Sequence, residues 1–180
     1  MKEYKITLQS GICANVVFKP GDCFVVSTGS KIASLINWGQ KVWSFDHKAN
    51  MNHAGIIVDS DGGTFESLER IDHYNLDQYI GMPMLIIRYR EMTEEKFKIG
   101  YEAILKYDGC VYPFWRFFSH LMGFARFIHW SYPVCSELVG LFLNKANLEF
   151  NTGWGTSPDY WCDWWNVNKN VDIICSSCIK

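Results

Sequence analysis

Hydrophobic and polar positions follow a short period through the first half of the chain and a helical one through much of the second. Residues 4–8, 14–18 and 23–27 are brief β-prone runs, and Lys19-Pro20-Gly21-Asp22 supplies a turn before the third. Residues 30–45 place Ile32, Leu35, Ile36 and Trp43 on one helical face. The stretch 52–71, NHAGIIVDSDGGTFESLERI, reads as a strand, a Gly/Asp turn and a second strand. A further strand, MLIIRYR at 84–90, follows Pro83. The period then changes. Thr93 as cap, glutamates in the first turn, and a face of Phe97, Ile99, Ala103, Ile104 and Tyr107 predict a helix over 93–107. Leu138, Val139, Leu141, Phe142 and Ala146 predict a second helix, with Pro133 and Glu137 as its start chemistry and Cys135 at its N-terminus. Ser157 and Pro158 mark a third start. With no repeat, linker or low-complexity tract, the pattern predicts a single α+β domain over 1–180.

Composition narrows the function classes. A chain of 180 residues can bury a full core without staples. The 17 basic and 19 acidic residues are well mixed and leave a net charge of −2, which offers no basic stripe for nucleic acid. No stretch is long and apolar enough to predict a spanning helix. The N-terminus lacks the continuous apolar core of a secretory signal, so a cytoplasmic location is expected; delivery by a phage or release by lysis fits as well. Seven cysteines, odd in number and irregularly spaced, read as thiols in a reducing compartment.

One thiol stands apart. At a helix start, unpaired backbone N–H groups and the positive dipole end favour a thiolate at Cys135, and the thiolate is the nucleophilic form. The plain alternative is a small buried residue in the first turn. A nucleophile needs a base within reach and a group to orient that base. Of the five histidines, His53 opens the short β run HAGIIV, where a strand holds the ring more rigidly than a loop would. Glu66 and Glu69 on the following strand point to opposite faces, and strand register decides which shares a face with His53.

In order along the chain, PGDCFVV (20–26), NHAGIIV (52–58), TFESL (64–68), MLIIRYR, YDGCVY (107–112), YPVCSELVG (132–140) and SPDYW (157–161) resemble the circularly permuted NlpC-type, YiiX-like group of papain-like cysteine peptidases and amidases. In that group the histidine strand precedes the cysteine helix. The resemblance implies a central antiparallel sheet packed against helices, with Cys135 as nucleophile, His53 as general base and Glu66 as orienting acid. It also implies an oxyanion role for Tyr112, in the Gly-x-x-Tyr context of Gly109 to Tyr112, although Pro113 and an aromatic insertion follow it here. The implied reaction is amide hydrolysis on a peptide or muropeptide through a thioester. It requires no cofactor and no metal.

Other readings have their own residues. Related lecithin retinol acyltransferases use His and Cys on lipid or thioester substrates, and WCDWW with the aromatic stretch 113–130 would suit an acyl chain. That stretch reads as a core helix, a wall over the cleft or an interfacial helix in peripheral contact with lipid. A non-catalytic binding module would lack the nucleophile or base, and both residue types are present. CSSC at 175–178 with Cys162 and a histidine could form a zinc site, although one pair near the end of the chain is weak support.

Overall fold

The computed structural model describes residues 7–8, 11–12, 16–29, 51–111, 132–150 and 156–176. The expected helix over 30–45 and the aromatic stretch 113–130 lie outside them. Strands β1 (Thr7–Leu8) and β2 (Gly11–Ile12) form a small antiparallel pair. The main sheet holds β3 (Cys23–Val26), β4 (His53–Ile57), β5 (Gly63–Ser67), β6 (Ile71–Asn75), β7 (Met84–Tyr89) and β8 (Val171–Ser176). Their order is β6-β5-β4-β3-β7-β8, and every neighbouring pair is antiparallel. Three α-helices are described: α1 (Glu94–Leu105), α2 (Cys135–Lys145) and α3 (Pro158–Val167). None is long and apolar enough to cross a membrane. The architecture is α+β, as the pattern predicts.

Both faces of the central strands are buried, which accounts for the near-continuous apolar runs of β3 and β7. One face presents Cys23, Val25, Ala54, Ile56, Phe65, Leu85 and Ile87 to a core shared with Leu138, Val139, Phe142, Trp161 and Trp165. The other presents Phe24, Val26, Ile57, Met84 and Ile86 to Val16, Phe18, Leu76 and Tyr79. Helix α2 packs across β4 and β5 and against α1. At Gly100 the two helices approach so closely that a Cβ would sit 2.8 Å from the Phe142 ring and 2.9 Å from its carbonyl oxygen. That contact sets the rotation of α1 and leaves Ile99 half exposed, against the expectation that it lies on the buried face.

Two of the ordered sequence motifs hold each other. Asp22, buried just ahead of β3, accepts from Arg88 Nε at 2.7 Å and from its terminal nitrogen at 2.7 Å, and from the Lys19 N–H at 2.9 Å. A bidentate guanidinium and a backbone donor thus satisfy a carboxylate taken out of water. The stretch 64–71 is not one strand. Chain pairing in β5 ends at Ser67, the Leu68 N–H donates to the Arg70 carbonyl at 3.0 Å, and β6 begins at Ile71. Of the run 14–18, the described part holds a single bridge residue, Val16.

Candidate active site

Strand β4 carries the imidazole. His53 is its first residue, opposite Val26, and Asn52 just ahead is clamped by Thr28: the Thr28 N–H and hydroxyl each donate to Asn52 Oδ1 at 2.9 Å, and Asn52 Nδ2 donates to the Thr28 carbonyl at 3.1 Å. In the β4–β5 ladder Gly55 lies opposite Glu66. Period-two alternation therefore puts His53, Gly55 and Glu66 on one face, with Glu66 diagonal to the ring. Their contact needs space at residue 55. A Cβ there would stand 2.7 Å from the Phe24 ring and 2.8 Å from Glu66 Cγ, so the His-x-Gly pattern has a steric cause.

Register separates the two glutamates. Glu66 is fully buried and its Oε2 lies 2.6 Å from His53 Nε2, whereas Glu69 falls in the exposed turn after β5. Glu66 is held by four side chains in all. Oε2 also accepts from the Tyr79 hydroxyl at 2.5 Å, and Oε1 accepts from the Thr64 hydroxyl and from Gln78 Nε2 at 3.4 Å. Sequence reasoning missed Thr64, whose signal is its place two residues before Glu66 on the same face of β5. Tyr79 and Gln78 carry no such signal, because they return to the site through β6 and a 3-10 turn, Leu76–Tyr79.

The thiol arrives from the other layer. Cys135 is the first residue of α2, and the Glu137 carboxylate accepts the Val134 N–H at 3.1 Å, which is the carboxylate half of a capping box. Ser136 ties the helix start to the chain ahead of α3: its hydroxyl donates to the Thr156 carbonyl at 2.6 Å, and its carbonyl accepts from Trp161 Nε1 at 3.0 Å and the Thr156 hydroxyl at 3.2 Å. Ser67 Oγ donates to the Pro133 carbonyl at 3.4 Å. So anchored, the Cys135 side chain stands near enough to the His53 ring to raise the ring's hold on a proton. Helix and imidazole belong to opposite faces by alternation. They meet because His53 ends its strand, with no further β4 residue between them.

With Nε2 engaged by Glu66, the other ring nitrogen, Nδ1, is left for Cys135. Burial alone would lower the affinity of His53 for a proton. Hydrogen bonds to Cys135 and Glu66, and the charges of both, outweigh it and push the imidazole from 6.5 up to about 10. The arrangement can hold an imidazolium between a sulfur and a carboxylate at neutral pH. The neutral ring can take the proton of the thiol, and the imidazolium so formed can give it to a departing group.

Tyr112 lies outside the described residues. The residue before it, Val111, bridges Arg70, and the Ile71 N–H donates to the Cys110 carbonyl at 2.9 Å, which ties this part of the chain to the start of β6. Cys162 packs in the helix-side core and Cys175 in the core on the opposite face of the sheet, so these two do not share a ligand set. Cys178 lies outside the described residues. Asp72, His73 and Asp108 bring their donor atoms within 4.8 Å of one another at the surface. They line no buried cavity, and His73 Nε2 lies 2.5 Å from the Tyr101 hydroxyl.

No family model matches the chain, and neither does any curated protein. Among solved structures it is similar to the metalloprotein YiiX (DUF1105) from Escherichia coli O157:H7, with a TM-score of 0.52 at 13% identity over 88% of this chain and 97% of that one. The fold is YiiX-like. At that identity the likeness concerns architecture alone, and the chemistry rests on the residues of this chain.

Proposed function

We propose that this chain is a cysteine hydrolase of the permuted papain-like type that cleaves an amide bond through Cys135, His53 and Glu66. The observation that carries this reading is an imidazole bound to a buried carboxylate that accepts from four side chains, with a helix-start thiol near enough to act on the same ring. A structural histidine needs no second partner of this kind, and a buried carboxylate beside it would be costly without a task.

His53 takes the Cys135 proton, and the sulfur lone pair attacks the carbonyl carbon, forming the C–S bond as the C=O π pair moves to oxygen. The Cys135 N–H at the helix start is suited to meet that oxyanion, with Tyr112 as the second donor implied by the family resemblance. Collapse re-forms C=O and breaks the C–N bond, and the imidazolium protonates the leaving amine. Neutral His53 then draws a proton from water, hydroxide attacks the thioester, and sulfur leaves as the thiol on regaining that proton. Glu66 keeps the ring in the required tautomer throughout. The muropeptide or short peptide class is the favoured substrate; an acyl thioester is the competing one.

Iodoacetamide labelling near neutral pH tests the nucleophile. Cys135 should react faster than free glutathione, and His53→Ala should abolish the excess. Incubation with a muropeptide fragment beside a short-chain acyl thioester, followed by intact mass, should reveal an acyl adduct on Cys135. Labelling no faster than glutathione, with no adduct from either substrate, would leave a non-catalytic module on the same fold.

A further inference from the structure

Glu66 Oε2 receives two donors, His53 Nε2 at 2.6 Å and the Tyr79 hydroxyl at 2.5 Å. The Tyr79 ring also packs on the imidazole, with centroids 5.7 Å apart, and both rings contact Phe24. Tyr79 is buried, and its hydroxyl stays protonated because burial and the Glu66 charge push it far above the ordinary tyrosine range. Among the described residues, the groups facing this cluster are Cys135 from α2, Glu66 and Thr64 from β5, Gln78 and Tyr79 from the 3-10 turn, and Tyr74 from β6.

We propose that Tyr79 is a positioning residue whose hydroxyl competes with His53 for one oxygen of Glu66, and so sets how tightly the carboxylate holds the imidazolium proton. The inference rests on the hydrolase reading above and adds a residue to it. An imidazolium held by an undivided carboxylate gives up its proton reluctantly, and the leaving amine needs that proton. A hydroxyl on the same oxygen disperses part of the negative charge and loosens the grip. Thr64 and Gln78 act on the other oxygen and keep the carboxylate from turning away.

The test is the titration of His53 followed by imidazole NMR, a measurement that needs no substrate and therefore stands apart from the fate of the hydrolase reading. Tyr79→Phe should move the midpoint upward by about half a pH unit or more, because Oε2 then serves the imidazolium alone. Where activity is measurable, kcat should fall several-fold with KM little changed. Incorporating 3-fluorotyrosine at position 79 keeps the shape and makes the hydroxyl a stronger donor, so it should move the midpoint down; this arm serves if the Phe variant folds poorly. In a Glu66→Gln background, Tyr79→Phe should shift nothing further. A merely structural tyrosine would loosen the site and lower the midpoint whether or not Glu66 is charged. No shift, a downward shift in Tyr79→Phe, no opposite shift with fluorotyrosine, or a shift that survives Glu66→Gln overturns the proposal.

Discussion

Replacing His53 by Gln removes one titration that should be visible in the stability of the whole fold. The imidazole has an ordinary value of 6.5 and is pushed up to about 10 in the folded protein, where its hydrogen bonds to Cys135 and Glu66 outweigh the effect of burial. A raised value means that the native state binds this proton more tightly than the unfolded chain does. The contribution is therefore complete below the unfolded value, declines as pH rises, and is gone above the folded one. At about 1.4 kcal/mol per pH unit, the interval from 6.5 to about 10 corresponds to a stabilisation on the order of 5 kcal/mol. Urea unfolding of both proteins, followed by tryptophan fluorescence at constant ionic strength, measures it. The difference in unfolding free energy between wild type and His53→Gln should shrink by that order between about pH 6 and pH 10. Subtraction removes the titrations of groups remote from His53 and leaves that of the cluster His53 forms with its partners. Parallel curves across the window would refute the reasoning, since they would mean that His53 binds its proton no more tightly folded than unfolded.

Other perturbations address the same scaffold. Glu66→Gln should lower turnover by about a hundredfold or more with the fold retained, while Glu69→Gln in the exposed turn should change stability by less than about 0.5 kcal/mol and turnover little; equal losses in kcat would contradict the register. Gly55→Ala forces a Cβ against Phe24 and Glu66, and should cost about 1–3 kcal/mol in thermal unfolding while reducing turnover. A variant that keeps both would show the close approach to be soft. Asp22→Asn breaks a buried pair at the far end of β3 from the site and should cost about 3 kcal/mol, lowering Tm by roughly 5–10 °C with turnover per folded molecule preserved.

Much of the fold was legible from local pattern. Strands β3, β4, β5 and β7 and the starts of α1, α2 and α3 follow from periodicity and caps, because these report on residues within a few positions of one another. Thr93 and Ser157 accept the first-turn N–H groups of α1 and α3 as their residue types suggest. Strands β6 and β8 left no such signal. Each lies at a sheet edge, IDHYN has one fully buried position and VDIICS two, and their strand character comes from hydrogen bonds to β5 and β7. Ile99 was assigned to the wrong face because the period of α1 could not reveal how closely it meets Phe142 at Gly100.

The same division runs through the site. Local residues were enough to place a thiol at a helix start, an imidazole at the opening of a strand and Glu66 on the strand that follows, but not to show that this strand ends at Ser67, before Glu69. These placements depend only on capping chemistry and the two-residue period of a strand. Tertiary structure decided the rest. It set the register that places Gly55 opposite Glu66, the anchoring of the α2 start by Ser136, Thr156 and Trp161, and the return of Tyr79 to a carboxylate thirteen residues earlier. Local periodicity says which residues share a face. It cannot say which helix end meets which strand end, because packing across the whole core settles that.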